Sequence, residues 1–182
     1  MKLRRSQLAA LALAALVIAG VVAARLWHSS TPSNNYRCGE SPASSGSVQI
    51  PAFSVSVSLS DAAAKSLQSI EEGVAVYAVF DGDGVSEPGE NTAPHRDVFL
   101  CHTKRQLVSG VSQVTFSGLS VPTSRIARLS HPDYHVNVNA SSARLSHPDN
   151  LLECEFHDKS ISSVARNTIN LRCSLLTESS RY

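Results

Sequence analysis

Residues Phe53 to Ser60 read FSVSVSLS, an unbroken alternation of apolar side chains and serines. Successive side chains of a strand point to opposite faces, whereas a helix returns to one face every three to four residues. The segment can bury a single face only as a β-strand, with Phe53, Val55, Val57 and Leu59 inward and a serine row outward. Ser60 or Asp61 before Ala62-Ala63-Ala64 predicts a short capped helix ending near Gly73. Val74–Phe80 (VAVYAVF) is apolar on both faces and predicts a central, two-sided strand, closed by a turn at Asp81-Gly82-Asp83-Gly84 and a loop over 84–96. Further strands are expected at Val98–Cys101, Gln106–Val108 and Gln113–Leu119, and where Tyr134, Val136 and Val138 alternate with His135, Asn137 and Asn139. Leu152, Cys154 and Phe156 share one phase against Glu153 and Glu155, and Ile169, Leu171, Cys173 and Leu175 share another. Short strands with frequent turns predict an all-β fold, an antiparallel β-sandwich of immunoglobulin-like or related type, with a small β-barrel as the alternative. A βαβ array would need several helical patterns, and one or two are present.

The N-terminus obeys different rules. Leu8 to Ala24 is a run of 17 residues without charge, preceded by Lys2, Arg4 and Arg5. A basic segment followed by an apolar run is the pattern of an export signal, and the basic end stays in the cytoplasm. Leu8, Leu11, Leu13, Leu16, Ile18, Val21 and Ala24 form its signal or membrane-spanning body. Val22-Ala23-Ala24 suits cleavage, whereas Arg25 and Trp27 suit an uncleaved anchor. The expected organisation is a signal-anchor or signal peptide over 1–28, a Ser/Pro-rich linker over 29–49 and an extracytoplasmic domain over 50–178. The short, alanine-rich leader points to a bacterial inner-membrane protein facing the periplasm, or to a periplasmic one if the leader is cleaved.

Apolar residues make up 42% of the chain and the net charge is +1, which excludes a wholly disordered polymer. Setting aside Lys2, Arg4, Arg5 and Arg25 leaves 12 Lys+Arg against 15 Asp+Glu, a net of −3. A nucleic-acid partner is not expected from a mildly acidic domain without a basic stripe. The four cysteines behind an export signal predict disulfides. Cys154 and Cys173 lie on the apolar phases of strands separated by one connection, so they are expected to pair, leaving Cys38 for Cys101. No CxxC pair of the kind used by structural zinc is present.

Other motifs carry less chemistry. Arg128-Leu129-Ser130-His131-Pro132-Asp133 recurs as Arg144-Leu145-Ser146-His147-Pro148-Asp149. Ser, Pro and Asp are turn residues, and the two copies read as one turn used twice. If the strands at 134–140 and 150–156 were antiparallel neighbours, the copies would lie roughly 20 Å apart at opposite ends. Of seven histidines, His131 and His135 are the weak candidates for a metal, and Pro132 argues against a shared helical face. Asp81 to Glu90 resembles a calcium loop faintly but has Val85, Ser86 and Thr92 where the EF-hand pattern needs an oxygen ligand, Gly and Glu. Nucleophile-elbow, P-loop and dinucleotide patterns are absent from the sequence. Asn139-Ala140-Ser141 is a glycosylation sequon, of consequence only in a eukaryote. The expected function is non-catalytic: a membrane-tethered β-sandwich that binds another envelope protein or a polymer, as inhibitor or accessory factor, without a cofactor. The alternative is an envelope protein that handles copper or zinc through its histidines.

Overall fold

A computed structural model of the chain describes residues 36–40, 45–85, 97–108 and 110–179. The described residues belong to one compact unit, Asn35–Tyr182, and the expectations for Leu8 to Ala24 lie outside them. Among the described residues no helix is long and apolar enough to cross a membrane.

This unit is mostly β. Its strands are β1 (Ser47–Gln49), β2 (Phe53–Leu59), β3 (Val74–Asp83), β4 (Asp97–Leu107), β5 (Gln113–Phe116), β6 (Ser120–Pro122), β7 (His135–Ser142), β8 (Leu152–Cys154), β9 (His157–Ser160) and β10 (Thr168–Leu175). The helices α1 (Asp61–Ser69), α2 (Thr123–Ile126), α3 (Ile161–Val164) and α4 (Leu176–Ser179) are short. One sheet runs β5-β2-β10-β8, another β4-β3-β7-β9, and β1 pairs with β6. Every pairing is antiparallel except that of β2 with β10, which is parallel.

The alternation of β2 sorts its side chains as the sequence requires. Phe53, Val55 and Val57 are buried, and the serines between them face outward. Phe53 stacks on Phe116 at 5.1 Å and meets Phe80 of the other sheet edge-on at 6.2 Å. Both sheets therefore contribute to one apolar core, where each large side chain stabilises by about 1.5–3 kcal/mol. β3 is central, between β4 and β7, and Val74, Val76, Ala78 and Phe80 are buried, whereas Tyr77 and Val79, expected inside a two-sided strand, are half-buried on the outward face.

Several boundaries differ from the sequence reading. The turn expected at Asp81 is strand, because Gly82 and Asp83 pair with Val98 and Asp97. Gly82 suits this path, since a Cβ there would approach Leu129 Cδ2 to 3.1 Å. The two short strands expected within 98–108 are one strand, β4, with a bulge opposite Phe80 and Asp81. The bulge turns adjacent Leu100 and Cys101 both inward. Phe156 is 61% exposed rather than in phase with Leu152, because the chain leaves β8 and crosses to the other sheet as β9. Of the expected linker 29–49, residues 36–40 and 45–49 are described, and they make backbone contacts with the domain. Cys38 N–H donates to the His102 carbonyl and His102 N–H to that of Tyr36, so this segment covers part of the β4 edge, and Ser47–Gln49 forms β1. Edge coverage of this kind removes a row of unpaired backbone groups. β7 and β8 belong to different sheets, so they are not ladder neighbours, although the two turn copies still flank β7 at its opposite ends.

The second copy has a buried partner. Helix α1, capped by the Ser60 hydroxyl on Ala63 N–H, ends in a Schellman arrangement: Glu71 N–H donates to Gln68 O, Glu72 N–H to Leu67 O, and Glu71 takes φ 54°. This swings Glu72 inward, where it is 3% exposed. Its carboxylate accepts from the N–H groups of Gly73, Leu145, Ser146 and His147 and from the Ser146 hydroxyl. Gly73 permits the approach, since a Cβ would lie 2.9 Å from Leu107 O. Burial pushes the Glu72 carboxyl up, but the four N–H groups outweigh it and hold it down at about 2. Nearby, the Asn150 side chain accepts from Ser142 and Leu152 N–H and donates to Leu152 O, joining β7 to β8.

The Cys38–Cys101 and Cys154–Cys173 pairs are bonded, with Cα atoms 5.0 and 4.0 Å apart. Cys173 lies directly opposite Cys154 in the β10–β8 ladder. Two disulfides fit an oxidising, extracytoplasmic environment.

Glu72 ordinarily titrates at 4.5, so its stabilisation is complete above that pH and is lost as the pH falls through about 2. The shift corresponds to roughly 3 kcal/mol. Glu72→Gln is expected to lower stability by about 2–4 kcal/mol in urea unfolding at neutral pH and to weaken the acid dependence. Replacing Cys154 and Cys173 by alanine is expected to cost roughly 3 kcal/mol in the same measurement. Replacing Cys38 and Cys101, which close a longer loop, is expected to cost about 1 kcal/mol more.

Candidate binding face

The outward face of the β5-β2-β10-β8 sheet is polar because three strands alternate in register. Ser54 stands between Thr115 and Thr168, Ser56 between Gln113 and Asn170, and Ser58 beside Arg172. The Ser54 and Thr115 hydroxyls lie 3.0 Å apart, and the Ser58 hydroxyl donates to Leu171 O at 3.3 Å. The opposite phase of the same residues, Val55 with Ile169 and Val57 with Leu171, fills the core.

At the β8 side the face deepens into an open depression of about 800 Å³, lined by Ser56, Ser58, Glu155, Phe156, His157, Asn170 and Arg172. Glu155 and Arg172 lie on either side of one antiparallel step, and Glu155 N–H donates to Arg172 O at 2.8 Å. The Arg172 guanidinium gives two hydrogen bonds, at 2.9 and 2.7 Å, to one Glu155 oxygen, and Arg172 N–H donates to the other. These contacts lower the Glu155 carboxyl below its ordinary range and raise the Arg172 guanidinium. The pair is thus a neutral, doubly bonded unit lining the depression. Phe156 projects beside it because the crossing from β8 to β9 gives its ring no core position.

The other expected residues lie elsewhere. His135 Nδ1 sits 3.0 Å from Asp158 Oδ1 across the β7–β9 ladder, and His131 is exposed in the first turn copy. Among the described residues no three His, Cys, Asp or Glu side chains are grouped to hold a metal ion. Asp81 and Asp83 of the faint calcium pattern are in β3, and residues 86–96 lie outside the described residues. Asn139 of the sequon is in β7, its side-chain oxygen accepting from Ala140 N–H. In the first turn copy Ser130 donates to Asp83 O, and Asp133 accepts from Ser162 N–H and Oγ. Sequence periodicity marks the serine row of this face, but Phe156 is assigned there to the core and Arg172 is passed over.

Comparison with protein-family models, curated proteins and solved structures gives no match.

Arg172 is exposed and its ion pair faces water. Exposed pairs contribute little to folding. Arg172→Ala is therefore expected to leave the melting temperature within about 1 °C of the parent chain in a thermal scan. A fall of several degrees would make this pair a structural strut rather than part of a free surface.

Proposed function

We propose that the chain is a non-catalytic binding domain of the bacterial envelope, a β-sandwich related to the immunoglobulin type, exported or tethered by its N-terminal apolar run. The observation that carries the reading is the outward face of β5-β2-β10-β8. There an exposed Phe156 and an internally neutralised Arg172–Glu155 pair border rows of hydroxyl and amide groups. Phe156 is the aromatic among the exposed large hydrophobic residues described, and contact with a partner would take its ring out of water. Aromatic and arginine side chains also dominate the energetics of protein interfaces. The surrounding serines, threonine and asparagine are short and lose little entropy on being covered.

In this reading the two disulfides serve stability in an oxidising compartment, and the periplasm is the compartment that the leader indicates. The partner is another envelope component, protein or polymer.

Sedimentation of the full chain with envelope material from the source cells provides the test. The parent chain is expected to co-sediment. Phe156→Ala combined with Asn170→Ala is expected to reduce the bound fraction at least about tenfold, which corresponds to about 1.4 kcal/mol. Asn137→Ala, on the outer face of the other sheet, is expected to have no effect. Equal loss with Asn137→Ala, or none with the double variant, would refute the assignment of this face.

A further inference from the structure

The chemistry of the face goes further than the existence of a contact. Resting on the reading above, we propose that its ligand is a neutral polysaccharide strand, seated in the depression between β2, β10 and the β8–β9 crossing with one sugar ring against Phe156.

Three observations select this class. First, the depression offers neutral groups that both donate and accept, the Ser56 hydroxyl and the Asn170 amide, with the Ser58 hydroxyl, which donates to Leu171 O, left as an acceptor. A sugar presents hydroxyls that do the same, so such surfaces match without any charge. Second, the one guanidinium in the depression is already committed. Arg172 holds Glu155 through two hydrogen bonds to one oxygen, and the Glu155 backbone N–H returns to Arg172 O. An anionic polymer would have to compete with this pair, and the lowered Glu155 carboxyl stays charged beside it. Third, Phe156 is the large aromatic side chain lining the depression, and it is 61% exposed. A protein partner is held by a desolvated apolar centre within a polar rim. Here one aromatic ring stands among Ser56, Ser58, Asn170, His157 and the Arg172–Glu155 pair. A sugar ring has one face of C–H groups and an edge of hydroxyls, so it can stack on Phe156 while its edge reaches Asn170 and Ser56.

The depression of about 800 Å³ is open rather than enclosed, which suits the middle of a polymer better than a small molecule that must be surrounded. Binding through one aromatic contact and exposed hydrogen bonds is expected to be weak for each strand, with half-saturation on the order of 1 mM.

The test is nuclear magnetic resonance on the full chain, isotope-labelled and purified in detergent, titrated separately with maltohexaose, cellohexaose and chitohexaose to about 10 mM. At least one hexasaccharide is expected to shift the amide resonances of Ser56, Phe156, Asn170 and Arg172, leaving those of Asn137 and Asn139 in place. Phe156→Ala is expected to weaken that binding at least about tenfold at an unchanged melting temperature, and Phe156→Tyr to retain it. No shift at these residues with any of the three sugars would overturn the proposal, as would undiminished binding by Phe156→Ala. If the sugars fail while Phe156→Ala with Asn170→Ala still abolishes co-sedimentation, the face binds a protein and only the ligand class is wrong. If both fail, the assignment of the face falls with it.

Discussion

The parallel pairing of β2 with β10 governs both the inside and the outside of this domain. It sets Val55 against Ile169 and Val57 against Leu171 in the core. In the same register it aligns Ser54 with Thr168, Ser56 with Asn170 and Ser58 with Arg172 on the surface. A slip of one residue would exchange these sets, placing serines among Phe53, Phe80 and Phe116 and exposing valines to water. Core stability therefore enforces the order of the polar face. The face needs no scaffold of its own, because the packing that holds the domain together also spaces its hydroxyl and amide groups.

Around that pair, the points where the sheets meet are joined by polar or covalent links. The residues 152–160 supply β8 to one sheet and β9 to the other, so one continuous segment spans that side. Asn150 bonds Ser142 of β7 and both backbone groups of Leu152, and the disulfide at Cys154 ties β8 to β10. On the other side Cys38–Cys101 pins the segment that covers the β4 edge. Glu72 holds the turn after β7 through backbone amides and the Ser146 hydroxyl. Such a carboxylate is costly to bury unless its acceptor sites are filled, and here four N–H groups and a hydroxyl fill them. Short side-chain-to-backbone links recur at each of these joints, where a regular ladder cannot continue.

Much of this architecture is legible in local pattern. The serine alternation of β2 and the inward cysteines of β8 and β10 are period-two signals that survive in any fold with one buried face. What local pattern does not encode is which strands meet. Nothing near Phe53 or Ile169 announces that β2 and β10, more than a hundred residues apart, lie side by side and parallel. Glu72 reads as an ordinary acidic helix end beside Glu71, because its partners are backbone amides of Leu145 to His147 and leave no mark in residue type. Tyr36 to Cys38 reads as linker for a similar reason, since backbone groups make its contacts with β4. Phe156 misleads in the opposite sense: it continues the phase of Leu152 and Cys154 up to the residue where the chain changes sheets. The candidate face was therefore half visible, its serines plain and its aromatic hidden by an assumption of regular strand.

The two outward sheet faces differ in kind. One has hydroxyl rows, a neutralised ion pair and an unsupported aromatic ring. The other has its own internal contacts, with Lys104 over the Tyr77 ring and His135 against Asp158. The most direct measurement places a photoreactive side chain at Ser56 or Asn170, and separately at Asn137 or Asn139, in the full chain within living source cells. Adducts from the first pair of positions and none from the second are predicted. Adducts from Asn137 or Asn139 alone would contradict the account and move the contact surface to the opposite sheet.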